Sequence, residues 1–117
     1  MIEAKVSADL LRRVYDKTSR FYGASASVFD RKARQLGLER ARIIAGDRVL
    51  EVGCGPGITL DAIAGRTVAT GFVVGVDSSC RMLGIAHQRL DSAGGRRASL
   101  VQADGTRLPF RDCSFDV

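Results

Sequence analysis

The 117-residue sequence predicts an α/β fold built on a parallel sheet. Three observations predict it. Short apolar runs alternate with helical segments from residue 48 onward, giving the order strand, helix, strand, helix, strand. The first run, Val49-Leu50-Glu51-Val52, opens into Gly53-Cys54-Gly55-Pro56-Gly57, with three glycines at alternate positions. Such a strand-to-loop switch lets a backbone approach a ligand closely, because a Cβ there would take the ligand's volume. Finally, Glu51, Asp77 and Asp104 fall at or just beyond the carboxyl ends of the three predicted strands. Parallel sheets bind ligands beyond those ends, so three separate segments point to one site.

The elements follow in order. Residues 8–18 place Leu10, Leu11, Val14 and Tyr15 on one side of a helix. A second helix, over 27–44, aligns Phe29, Ala33, Leu36 and Ile43, with Arg31, Lys32, Arg34 and Arg42 facing elsewhere. Ser27 and Asp30 resemble a capping box, and Gly37 interrupts the pattern. Arg48 to Val52 reads as a buried strand, Ile58 to Ala64 as a helix, and Phe72 to Asp77 as a second strand. Ser78 or Ser79 caps a helix from Cys80 to Ser92, which Gly94-Gly95 ends. Ser99 to Ala103 is a third strand. A loop over 104–114 contains Leu108-Pro109-Phe110, and Phe115 begins a fourth strand.

Composition excludes several classes. The hydrophobic fraction is 45% and the charged fraction 26%, ordinary for a globular protein. No stretch approaches the ~18 apolar residues of a membrane span, and the N-terminus has no signal-peptide core. A cytoplasmic location is the default expectation. The net charge of +5 is concentrated in the first 48 residues. Such a face attracts anionic lipid, nucleic acid or an acidic substrate, or is simply a solvated cationic surface. No aromatic residues interleave with the arginines as a nucleic-acid platform requires, so no nucleic acid is expected. Cys54, Cys80 and Cys113 are odd in number and match no zinc spacing with His87. They read as three small buried thiols, with no metal.

Two ligand classes suit the glycine loop. A nicotinamide fingerprint needs a third glycine where Ile58 stands, and a phosphate-binding loop needs a lysine that is absent. Asp77 suits ribose hydroxyls in either class. Glu51 discriminates: its carboxylate would repel a pyrophosphate and attract an ammonium group.

The segments Val49 to Gly57, Gly75-Val-Asp-Ser-Ser-Cys-Arg-Met-Leu83 and Asp104-Gly-Thr-Arg-Leu-Pro-Phe-Arg-Asp-Cys-Ser-Phe-Asp-Val117 follow one another at characteristic spacing. Together they resemble the first three motifs of the S-adenosylmethionine-dependent methyltransferases. The branch resembled contains the ubiquinone/menaquinone-biosynthesis C-methyltransferases and small-lipid methyltransferases. The resemblance implies a Rossmann-like parallel sheet with N-terminal helices, S-adenosylmethionine as cofactor, and methyl transfer to a small-molecule, quinone-precursor or lipid acceptor. Carried over by position, Gly53, Cys54, Gly55 and Gly57 line the methionine moiety and sugar, and Glu51 sits near the amino group. Asp77 holds the ribose hydroxyls, with Ser78 following along the adenosine. Met82 packs on the adenine, Asp104 accepts from its amino group, and the Gly105 amide donates to its ring. Tyr22 covers the methionine end or is a core aromatic. No catalytic residue is assigned, because the sulfonium itself activates the methyl group.

The family's sheet has seven strands ordered 3-2-1-4-5-7-6. The expectation is therefore an incomplete domain: strands 1–3 and the start of strand 4. Residues 1–47 form a helical leader, and 48–117 form the N-terminal half of the cofactor-binding domain. The molecule as given would then be a shortened methyltransferase, or alternatively a non-catalytic half-domain that binds cofactor or a partner chain. A nicotinamide-dependent oxidoreductase is the remaining alternative. The cationic leader suggests peripheral membrane contact, and an unpaired sheet edge suggests self-association.

Overall fold

A computed structural model describes residues 13, 28–67, 70–95 and 97–117. The helix expected over 8–18, apart from residue 13, the cap at Ser27, and Tyr22 lie outside the described residues. The described part is a Rossmann-like unit. Helix α1 (Val28–Ala41) leads into strand β1 (Arg48–Val52), followed by α2 (Ile58–Ala64), β2 (Phe72–Asp77), α3 (Cys80–Ser92) and β3 (Ser99–Gln102). Among the described residues, no helix is long and apolar enough to cross a membrane.

The sheet is parallel, in the order β1-β2-β3. Val49 stands opposite Val73 and Glu51 opposite Gly75, while Asp77 stands opposite Gln102. This order follows from two helical crossovers of one hand, and it aligns all three carboxyl ends along one edge.

The chain end begins a fourth ladder on the other side of β1. The Val117 amide donates to the Arg48 carbonyl (3.3 Å), and its carbonyl accepts from Leu50 N–H (2.9 Å). These two bonds straddle Val49 in the parallel pattern. Asp116 secures the start. Its Oδ2 accepts from the Arg48 backbone N–H (2.9 Å) and Nε (3.0 Å), and its Oδ1 from Nη2 (2.8 Å). These bonds hold the Asp116 carboxyl down at about 2. Phe115 stacks edge-on against Phe72 and Phe110, with centroids 5.8 and 5.0 Å away. The Leu108-Phe110 loop is thereby anchored at the start of this segment.

Helix α1 departs from the sequence expectation. It runs without a break through Gly37, and Arg42, at φ +50°, ends its helical path. Its inward side carries Leu38, buried, with Arg34 and Ala41 half-buried, whereas Ala33 and Leu36 are exposed. At 100° per residue this face lies roughly half a turn from the predicted stripe. The helix has apolar residues on both sides, so periodicity alone did not choose between them. Ile43, beyond the helix, does pack against the core.

The core joins Leu38, Val49, Leu60, Ile63, Val73 and Leu90. Leu60, Met82, Val49, Val73 and Val76 are almost wholly buried, each contributing about 1.5–3 kcal/mol. Two glycines permit this packing. A Cβ on Gly75 would come within 2.7 Å of Leu60 Cδ2 and 3.0 Å of Cys54 Sγ. One on Gly57 would lie 2.8 Å from Ala86 Cβ and 3.0 Å from its Cα, in a backbone already at φ +81°. Gly57 thus seats the loop on α3.

Gly57→Ala is expected to destabilise the fold by about 2–4 kcal/mol, combining left-handed strain with a backbone clash. Gly53→Ala, whose Cβ meets no atom of the described residues within 4 Å, should cost only about 1–2 kcal/mol. Urea unfolding of the two variants checks the difference, and equal losses would contradict this role for Gly57.

Candidate functional site

A cavity of about 370 Å³ opens at the carboxyl ends of the strands. Its base is the end of β1 and the loop after it, with Glu51, Gly53, Cys54 and Gly55. Val76, Asp77 and Ser78 form the β2 side, and Ala103 and Gly105 the β3 side. Met82 enters from α3, Ile58 and Thr59 from α2, and Arg34 from α1. The size falls in the range of small-ligand sites.

The loop owes its shape to backbone bonds that side chains could not make. Gly53 and Cys54 N–H groups both donate to the Val76 carbonyl, at 2.7 and 2.9 Å. Gly53 and Gly55 adopt φ +73° and +52°, and a Cβ on either would meet no atom of the described residues within 4 Å. Asp77 closes the arrangement: Oδ2 accepts from Gly55 N–H (2.8 Å) and Oδ1 from Ser79 N–H (2.9 Å). Ser79 then caps α3, its Oγ accepting from Met82 N–H at 3.2 Å. Arg89 Nε donates to the Pro56 carbonyl (3.2 Å), tying α3 to the loop. One carboxylate therefore fixes both the glycine loop and the helix that delivers Met82.

Glu51 contrasts with Asp77. Its Oε2 is buried without a hydrogen-bond partner among the described residues. Burial first, and the neighbouring Asp77 charge second, push its carboxyl up from 4.5 to about 7. Both influences disfavour the anion, and no cation offsets them among the described residues. The Cys54 thiol is pushed up to about 12, by burial and then by Glu51 and Asp77. It is a neutral packing group and not a nucleophile.

The cavity gathers Glu51, Gly53, Cys54, Gly55, Asp77, Ser78, Met82 and Gly105. Two residues expected with them, Gly57 and Asp104, do not line this cavity. Gly57 faces Ala86. Asp104 closes its own turn, Oδ1 accepting from Thr106 N–H (2.9 Å) and Oγ1 (2.7 Å), with Arg107 Nε 3.5 Å from Oδ2. Arg34 and Thr59 line the cavity and Arg89 braces its loop, yet none was singled out from the sequence. Their signal was slight: one more arginine on a basic helix, and polar residues inside helical runs. Of the cysteines, Cys54 is buried as expected, but Cys80 and Cys113 are exposed, because they sit at a helix start and in a surface loop. Among the described residues, no group of three His, Cys, Asp or Glu side chains is disposed to hold a metal.

Because Glu51 is raised in the folded chain, the fold binds one more proton than the unfolded chain between pH 4.5 and 7. The stability associated with the protonated form is present below 4.5 and is lost as pH rises through 7. Glu51→Gln should therefore exceed the wild type in stability by on the order of 2 kcal/mol at pH 8, the gap closing near pH 4.5. Urea titrations at the two pH values check this. Equal stability at pH 8 would contradict the desolvated carboxylate.

The methyltransferase-domain family matches residues 49–117. The demethylmenaquinone methyltransferase of Geobacillus kaustophilus (strain HTA426) is 34% identical over 110 residues, covering 91% of this chain and 47% of that protein. Among solved structures, the YcgJ protein of Bacillus subtilis is similar with a TM-score of 0.67 and 29% identity, over 74% of this chain and 36% of that one. The cyclase SpnF is similar with a TM-score of 0.81 over 95% of this chain and 47% of that one, at 21% identity, a likeness of fold alone. The chain spans about half the length of the curated relatives it matches. Its glycine loop, its buried acids and the match over 49–117 agree: the chain belongs to the methyltransferase-domain family.

Proposed function

We propose that this chain forms the cofactor-binding part of an S-adenosylmethionine-dependent methyltransferase that acts on a small-molecule acceptor. The observation that carries this reading is the Glu51 carboxyl, whose buried Oε2 has no hydrogen-bond partner among the described residues, in a cavity floored by open-sided glycines. A desolvated carboxylate calls for a cationic ligand and repels a pyrophosphate, which favours an aminoacyl adenosine over a dinucleotide. When bound, S-adenosylmethionine supplies a methyl group already activated by a sulfonium.

The chain's residues then have positioning work. Glu51 holds the ammonium end. Asp77, with lone pairs still free beyond its two backbone bonds, accepts from the ribose hydroxyls, and Ser78 continues along the adenosine. Met82 packs its thioether on the adenine face, beside the Gly105 amide. Gly57 and Asp104 shape the loops around the ligand. Residues 48–117 make up this half-site and residues 1–47 cover it. Catalysis of this kind rests on alignment and exclusion of water, so no general base is assigned. The name of the Geobacillus relative supports a quinone-precursor acceptor, and the cationic leader is compatible with a lipid-borne one.

Isothermal calorimetry tests the reading. The chain should bind S-adenosylhomocysteine saturably at one site and give no binding heat with NADH. Gly55→Val, whose Cβ would meet no atom of the described residues within 4 Å, should lose that binding, at some cost in stability because its backbone lies at φ +52°. Binding of NADH but not S-adenosylhomocysteine would overturn the proposal.

A further inference from the structure

Helix α1 has two faces of different use. Its inward side joins the core through Leu38 and lines the cavity with Arg34. Ala33 and Leu36, the apolar residues expected to face inward, lie exposed on the other side, Leu36 at 53%. Lys32, Leu36 and Arg40 recur every fourth residue and so share one outer line of the helix. Just past the helix end stands Ile44, at 67% the most exposed large apolar residue among those described. A tight turn holds it there. Asp47 Oδ2 accepts from Ile44 N–H (2.9 Å), and the Ile44 carbonyl accepts from Asp47 N–H (3.1 Å). Ile43, one residue earlier, takes the position against the core.

The charge around these residues is one-sided. Residues 31–48 hold six cations against two acids, Glu39 and Asp47. Asp47 is engaged in its turn, and Glu39 accepts from Gln35 Nε2 at 3.4 Å. Of the cations, Arg48 is taken by Asp116 and Arg34 faces inward. Arg31, Lys32, Arg40 and Arg42 are exposed and pair with no acid among the described residues. Aliphatic side chains set among unpaired cations match an anionic bilayer, which offers phosphates above an apolar interior. A nucleic acid would engage the cations and leave Leu36 and Ile44 in water.

We infer that the outer line of α1 and the turn after it form a docking surface for an anionic membrane. Leu36 and Ile44 enter the boundary between headgroups and acyl chains, while Lys32, Arg40 and Arg42 meet the lipid phosphates. The helix, about 10 Å across, then stands between the bilayer and the cavity that Arg34 lines. The inference goes beyond the adenosyl-cofactor reading and does not depend on which ligand the cavity holds.

Co-sedimentation with phosphatidylglycerol vesicles and with phosphatidylcholine vesicles tests it. The wild type should bind the anionic vesicles at least about 10-fold more tightly, with the preference falling as salt rises. Lys32→Gln/Arg40→Gln should weaken that binding by about 10–30-fold, and glutamine at exposed helical positions keeps the helix. Arg81→Gln/Arg97→Gln removes the same charge from exposed positions elsewhere and should cost less than about 3-fold. Leu36→Gln/Ile44→Gln should weaken vesicle binding by about 10-fold and leave any binding to duplex DNA unchanged. Equal wild-type affinity for the two lipids would overturn the inference, whatever the variants do. So would equal losses in the two charge variants, which would make the attraction one of net charge. An unchanged Leu36→Gln/Ile44→Gln would also overturn it, leaving a surface for a polyanion such as nucleic acid. Calorimetry with S-adenosylhomocysteine, without vesicles, reads the cofactor site separately and should give the same affinity for all these variants.

Discussion

The site depends on the Asp77 carboxylate. Its two oxygens accept from Gly55 and Ser79, and so join three things that the chain builds separately: the loop after β1, the end of β2 and the start of α3. Without that carboxylate, Gly55 N–H and Ser79 N–H would lose their partners at the point where the loop crosses the sheet. The parallel register sets up the encounter, since Glu51 pairs with Gly75 and Val52 with Val76, leaving Asp77 one step beyond the end of β1. Ser79 then directs Met82 to the cavity through its cap. A small network of backbone bonds thus fixes Gly53, Cys54, Gly55, Asp77 and Met82 around the cavity.

Asp77 is satisfied by the protein, and Glu51 is not. Natural folds rarely leave a buried carboxylate oxygen unpartnered, because desolvation is costly. That imbalance motivates the proposed site: among the described residues nothing satisfies the buried Glu51 oxygen, and a cationic ligand would. The fold by itself would not have led this far, since similar sheets serve unrelated reactions.

Most elements from β1 onward were legible in the sequence, and for clear reasons. β-branched runs, a glycine loop, a serine cap before Cys80 and paired glycines after Ser92 are local signals whose outcomes the backbone dictates. β2 begins at Phe72 and α3 ends at Ser92 as read. Features set by tertiary packing were less legible. The inward face of α1 was misplaced because Leu36 and Leu38 offer the sheet two competing sides. Gly57 was read as ligand-facing, since nothing local says that Ala86 will stand 2.8 Å from its missing Cβ. Asp104 was placed with the ligand groups, whereas Thr106, two residues on, closes a turn upon it. Arg34 was grouped with its solvated neighbours because a cation gives no sign in sequence of which wall it will reach.

The most direct test of the account is the titration of Glu51 itself. With carbon-13 in the side-chain carboxyls of Glu3, Glu39 and Glu51, NMR follows each acid with and without S-adenosylhomocysteine. One resonance, lost in Glu51→Gln, should titrate near 7 in the free chain. It should move to lower pH on binding, as an ammonium comes to rest beside the carboxylate. A Glu51 resonance that titrates with the other two, or one indifferent to the ligand, would contradict the claim that this buried acid is the anchor of the site.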